Sequence, residues 1–201
     1  MSKTLLYTFA EGQLGRCMLV VDEYSNNLVY VNSGNDNQLI QVVKNLIKRQ
    51  SQNSKISYVL REDLDNELVE LSVIIANLLD GKRTAPIKYE YLYGTDFQRK
   101  VWDELYKIPW GCTTTYHRLA RQIGSPNSYR AVANACGANP LLMVIPCHRV
   151  LSSNGTLGGF KGGVQMKRQL LAAEKCFKSS ERSNAVRFSP LGNGSEYPNI
   201  C

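Results

Sequence analysis

Histidine is almost missing from this chain. Only two of the 201 residues are histidine, His117 and His148, and both lie in the second half. No CxxC pair is present either. A structural zinc site would therefore be short of ligands, and we expect no metal and no cofactor. Long apolar runs are missing too. Nothing approaches the roughly 20 consecutive apolar residues that cross a bilayer, so we expect no membrane partner. Residues 1–7 have neither a long apolar core nor a small-residue cleavage site, which predicts an intracellular protein with no secretory signal. No dense basic cluster marks an import route. Acidic residues thin out along the chain. Residues 1–90 carry a net charge of −1 and residues 91–201 a net charge of +8, within a total of +7. A basic half joined to a neutral one points to a polyanion as partner.

The composition is otherwise that of an ordinary globular protein. Hydrophobic residues at 43% supply enough apolar mass for one large domain or two small ones. Six cysteines stand at wide, irregular spacing. A chain of this length does not need staples, so we expect free thiols.

The first third reads as strands at residues 5–9, 17–21 and 28–31, with Gly12, Gly15 and Ser25-Asn26-Asn27 as turns. Helical spacing follows at residues 38–50 and again at about 64–79. No chemistry-bearing motif falls there, so we read this part as a scaffold. Asp80 to Pro86 reads as a linker. Short helices then take over. Thr95 can cap one with apolar face Phe97, Val101, Leu105 and Ile108. Thr115 can cap another, stopped at Gly124, and a third runs from about Asn127 to Cys136. The last pair has helix-turn-helix spacing. Its second helix carries small residues, Ala131 among them, and one large charged group, Arg130. A glycine-rich loop around Phe160 and Lys161, ending in Gly162 and Gly163, could close over a flat ligand. A final helix covers about Val164 to Lys175. The Ser/Asn/Gly-rich tail, residues 179–201, reads as disordered.

The most informative stretch is Pro146-Cys147-His148-Arg149-Val150. A thiolate is the reactive form of cysteine, and a neighbouring imidazole can take its proton near neutral pH. The pair alone would more often be a core cysteine beside a surface histidine.

The ordered set of motifs alters that weighting. Gly94-Thr95-Asp96-Phe97-Gln98, Val101-Trp102, Thr115-Tyr116, Arg130-Ala131-Val132, Ala138-Asn139-Pro140, the cysteine box, the glycine-rich loop and Leu170-Leu171 before Glu174 occur together. Over roughly residues 93–175 the chain resembles the O6-alkylguanine-DNA alkyltransferases. The N-terminal third is similar only in size and layout. The resemblance implies an α+β fold: a ribonuclease-H-like scaffold domain at 1–88 and a winged-helix, helix-turn-helix-like alkyl-acceptor and DNA-binding domain at 89–178. It implies a nuclear protein, monomeric when free, that meets double-stranded DNA containing O6-alkylguanine. The alkyl group would pass once and irreversibly from guanine O6 to Cys147; O4 of thymine stays open as a second donor.

Each residue role carried over is an expectation. Cys147 would be the nucleophile, His148 its base through a water, Glu174 the group orienting His148, and Asn139 the brace of the turn. Tyr116 would push a phosphate and give a proton to guanine. Arg130 would fill the gap left by the extruded base. Thr115, His117, Ser125, Ala131 and Ser153 would meet DNA. Met143, Val144, Val150, Phe160, Lys161 and Gly162 would form the base pocket. Many members have Tyr then Ser or Ala where this chain has Phe160-Lys161, which bears on the adduct size accepted. Three rivals compete: a lesion sensor that binds without transfer, a Cys-His hydrolase, and a transcription regulator using the same helices. The presence of Cys147 with His148 and Glu174 weighs against the first. The basic surroundings weigh against the second, and the third requires strong sequence preference.

Overall fold

The computed structural model describes residues 2–176. The predicted disordered tail lies outside them. The described residues divide into two compact units: residues 2–95 with 140–144, and residues 96–139 with 145–176.

The first unit holds a four-stranded sheet. β1 (Ser2–Gly12), β2 (Gly15–Asp22), β3 (Asn27–Ser33) and β4 (Ser57–Glu62) stand in the order β3-β2-β1-β4. β1–β2 and β2–β3 pair antiparallel, joined by tight turns, whereas β4 pairs parallel with β1. A parallel neighbour needs a crossover, and helix α1 (Asp36–Asn53) supplies it. Asn35 caps α1 by accepting from the Gln38 amide. Leu39, Val43 and Ile47 then bury one helix stripe against Leu5, Met18, Val20 and Val29.

Helix α2 (Val69–Leu79) starts five residues later than the spacing predicts. The Asp63 carboxylate accepts the amides of Glu67 and Leu68, and Asn66 turns left-handed at φ 60°. That side-chain-capped turn competes with helix. β4 was not among the expected strands, because three of its six residues are polar or charged and most of it is exposed. Residues 140–144 join this unit through hydrogen bonds from Val31 N to Pro140 O and from Leu142 N to Val31 O.

The second unit is mostly helical. It contains α3 (Asp96–Tyr106), α4 (Tyr116–Gln122), α5 (Tyr129–Gly137) and α6 (Val164–Ala173). Two short strands, β5 (Thr114–Thr115) and β6 (Val150–Leu151), pair in parallel. Thr115 caps α4 by accepting from the Arg118 amide at 3.2 Å. Gly124, at φ 74°, ends it: the amides of Ser125 and Gly124 return to Ala120 O and Arg121 O. This six-to-one closure needs a left-handed residue, which glycine adopts without penalty. Trp102 is fully buried and its indole N–H donates to Ala135 O at 2.8 Å, tying α3 to α5. Cys17, Cys136, Cys147 and Cys176 are buried free thiols. Cys112 sits half-buried on the loop before β5.

Candidate active site

Cys147 opens a single 3-10 turn, Cys147–Arg149, between Pro146 and β6. The turn sends successive side chains in different directions. Cys147 lines a cavity of about 560 Å³, a size typical of small-molecule sites. Its own exposure is only 3%. The sulfur is thus nearly covered by protein yet lines a space a ligand could enter. The Asn139 side-chain amide donates to Sγ at 3.2 Å and to Ile145 O at 2.9 Å. One side chain therefore fixes both the turn and the sulfur.

His148 and Arg149 converge on one carboxylate. His148 Nε2 lies 2.8 Å from Glu174 Oε1. Arg149 donates through Nε to Oε2 at 2.7 Å and through a terminal nitrogen to Oε1 at 2.9 Å. Its other terminal nitrogen reaches Ile108 O. All three side chains are buried, so the bidentate ion pair is nearly desolvated. Burial works against the Glu174 charge, but the His148 and Arg149 hydrogen bonds outweigh it and hold its pKa at about 2. A carboxylate only accepts, so Nε2 carries the imidazole proton and Nδ1 holds the free lone pair. Nδ1 is buried and meets no hydrogen-bonding protein group among the described residues. Burial lowers the His148 pKa despite the opposing pull of Glu174. The resting imidazole is neutral, with its basic nitrogen uncommitted.

Glu174 owes its place to the end of α6. Lys175 turns left-handed at φ 57°, and the amides of Cys176 and Lys175 return to Leu171 O and Ala172 O. Cys176 then packs with Leu171, Leu151 and Leu157. This cap stops the helix just after Glu174.

Burial raises the Cys147 thiol above its ordinary value, and the Asn139 donor and the charges of Lys167 and Lys161 pull less strongly the other way. Lys167 is fully buried in α6. Its ammonium donates to Val150 O and Leu157 O, and burial lowers its pKa to about 8. Among the described residues, no group of three or more His, Cys, Asp or Glu side chains could hold a metal ion.

The rest of the cavity wall comes from α4, α5 and the glycine-rich loop. Gly158 has φ 66°, and a Cβ there would meet the Ser152 hydroxyl at 3.2 Å and the Tyr116 hydroxyl at 3.4 Å. Only glycine lets the loop lie this close to the Tyr116 ring. Phe160 meets the His148 ring edge-on, with centroids 6.2 Å apart.

Residues 96–176 match the family described as 6-O-methylguanine DNA methyltransferase, DNA binding domain. A methylated-DNA–protein-cysteine methyltransferase of Saccharomyces cerevisiae is 38% identical over 180 residues, covering 87% of this chain and 95% of that protein. The chain belongs to the methylated-DNA–protein-cysteine methyltransferases. Two solved structures agree. The Mycobacterium tuberculosis O6-methylguanine methyltransferase superposes with a TM-score of 0.65 at 27% identity, covering 85% of this chain and 93% of that one. A form of the M. tuberculosis protein in complex with DNA gives 0.59 at 28% identity, covering 86% and 92%.

In this methyltransferase the predicted residues do not all gather. Cys147, Tyr116, His117, Arg130, Ser153, Phe160 and Lys161 line the cavity. Asn139, His148 and Glu174 stand behind it as described. Thr115 acts as a helix cap. Ser125 and Ala131 lie off the cavity, at the turn after α4 and on α5. Val150 and Gly162 do not line it. Met143 and Val144 belong to the sheet-bearing unit. Three residues escaped sequence reasoning. Arg149 stood beside His148 in the motif, but nothing local revealed its fork onto Glu174. Lys167 sits between Met166 and Leu170 on the buried stripe of α6, a position that hinted at burial. Tyr129, just before Arg130, lines the cavity.

Proposed function

We propose that this protein repairs DNA by direct reversal, moving an alkyl group from O6 of guanine to its own Cys147. One observation carries the assignment of Cys147: it is the cysteine of the matched family domain that both faces the cavity and adjoins the His148–Glu174–Arg149 network. Sγ attacks the alkyl carbon in line with the departing oxygen. The S–C bond forms as the C–O6 bond breaks. The thiol proton passes to His148 Nδ1 through a bridging water, with Glu174 holding the tautomer and stabilising the imidazolium. Tyr116 hydrogen-bonds ring nitrogen 3 of guanine and supplies the proton the departing base needs. Burial holds that phenol at about 12, so it is fully protonated at neutral pH. A thioether resists hydrolysis, so each molecule acts once.

The base reaches the sulfur only if it leaves the duplex. Extrusion costs a few kcal/mol, and we assign Arg130, exposed on α5, to fill the gap. In this reading residues 1–88 form a ribonuclease-H-like scaffold. Residues 89–178 form a winged-helix DNA-binding domain with α4 and α5 as its helix-turn-helix, and the protein works in the nucleus. The lesion-sensor alternative lacks support from the network around Cys147. Peptide mass spectrometry after incubation with a methylated duplex tests the central claim. We expect the Cys147 peptide to gain one methyl group, and Cys147→Ala to bind DNA normally but gain nothing. An unchanged Cys147 peptide, or a methyl group on another cysteine, would refute it.

A further inference from the structure

One part of the cavity wall has no task in the chemistry above. His117 on α4 and Tyr129 on α5 lie face to face, with ring centroids 4.1 Å apart and planes 18° from parallel. Both are half-buried, and both line the cavity. The next residue is Arg130, itself exposed. Its guanidinium carbon stands 5.8 Å from the centroid of the Tyr129 ring. That is within the roughly 6 Å reach of a cation–π attraction.

An exposed arginine samples many rotamers, and inserting it into a duplex requires one of them. The lost freedom counts against binding. A π face beside the guanidinium narrows the choice before DNA arrives. Tyr129 alone could swing on its helix, but the His117 ring pins it from α4. The contact therefore joins both helices of the pair to the one side chain that must be aimed. Cys147 lines the same cavity, but neither ring of the stack takes part in the displacement described above.

We propose that Tyr129, held flat by His117, is a positioning residue that pre-sets Arg130 for insertion into DNA. The proposal rests on Arg130 as the inserting residue in the reading above. It also gives His117 a task in clamping the helix pair.

The test compares two substrates: a duplex carrying O6-methylguanine, which requires extrusion, and free O6-benzylguanine, which does not. Tyr129→Leu keeps apolar bulk and removes the π face. We expect its duplex rate to fall about two- to five-fold further than its free-base rate, the size of an exposed cation–π contact. Tyr129→Phe, which keeps the ring, should restore the duplex rate. In an Arg130→Ala background, Tyr129→Leu should add no further loss, because the two residues then act as one unit. Equal losses on both substrates for Tyr129→Leu, or an additive double variant, would overturn the proposal. A selective duplex loss for Arg130→Ala with none for Tyr129→Leu would sink the positioning role alone. Equal losses on both substrates for Arg130→Ala would remove the inserting role and this inference with it.

Discussion

Cys147 is surrounded so that it rests as a thiol. Burial raises its pKa, and the Asn139 amide and two lysine charges only partly offset this. His148 beside it is lowered, first by burial, and waits as a neutral base. In the proposed mechanism the pair stores no charge until a substrate enters, and the proton moves as the sulfur attacks. This has a pH consequence. A base with a depressed pKa stays unprotonated further into acid. The rate with free O6-benzylguanine should therefore hold steady as pH falls through 6.5, with its acid limb below that value. A rate already falling above pH 6.5 would mean that His148 is not the base, or that Glu174 raises it more than burial lowers it. Arg149 matters on the same scale. It neutralises Glu174 without taking the oxygen away from His148, so the carboxylate stays ionised and correctly turned.

At the scale of elements, helix ends place the chemistry. Thr115 ends β5 and caps α4, so Tyr116 emerges at the first helical position with its ring against Gly158. Removing the cap oxygen leaves the Arg118 amide without its partner. Thr115→Ala should cost about 1 kcal/mol of stability, read as a shift of the urea midpoint with unchanged slope. An unchanged midpoint would show that the cap bond contributes nothing. The end of α6 does the matching job for Glu174, because the left-handed turn at Lys175 fixes where the carboxylate leaves the helix. In α5 the small residues Ala131 and Ala133 leave Tyr129 and Arg130 as the large side chains of its first turns.

For the whole molecule, the excess of positive charge belongs to the sequence that carries the site: residues 91–201 hold a net charge of +8. Phosphate contacts release counterions, so duplex affinity should fall steeply and log-linearly with salt, largely independent of sequence. The reaction with free O6-benzylguanine involves no polyanion and should change little over the same range. Filter binding and reaction rates from 50 to 200 mM salt, the interval over which such affinities typically collapse, would check both. A duplex affinity insensitive to salt but sensitive to sequence would favour a transcription regulator instead. No helix among the described residues is long and apolar enough to cross a membrane.

Much of the second unit was legible from neighbours along the chain. Thr115 as a cap, Gly124 as a stop, the apolar stripe of α3 and the adjacency of Cys147 and His148 are short-range features, set by backbone sterics and by hydrogen bonds spanning a few residues. The sheet was less legible. β4 is mostly exposed and half polar or charged, and becomes a strand because β1 offers it a parallel edge. The start of α2 was misplaced because Asp63 captures two amides that the apolar spacing assigns to the helix. The sequence by itself determined the family, the basic setting and the candidate nucleophile, because those depend on residue type and order. Only the tertiary structure decided that Arg149 reaches across 25 positions to fork Glu174, that Lys167 is fully buried among carbonyls, and that Tyr129 faces His117. Such contacts join residues far apart along the chain, and their geometry exists only once the helices have packed.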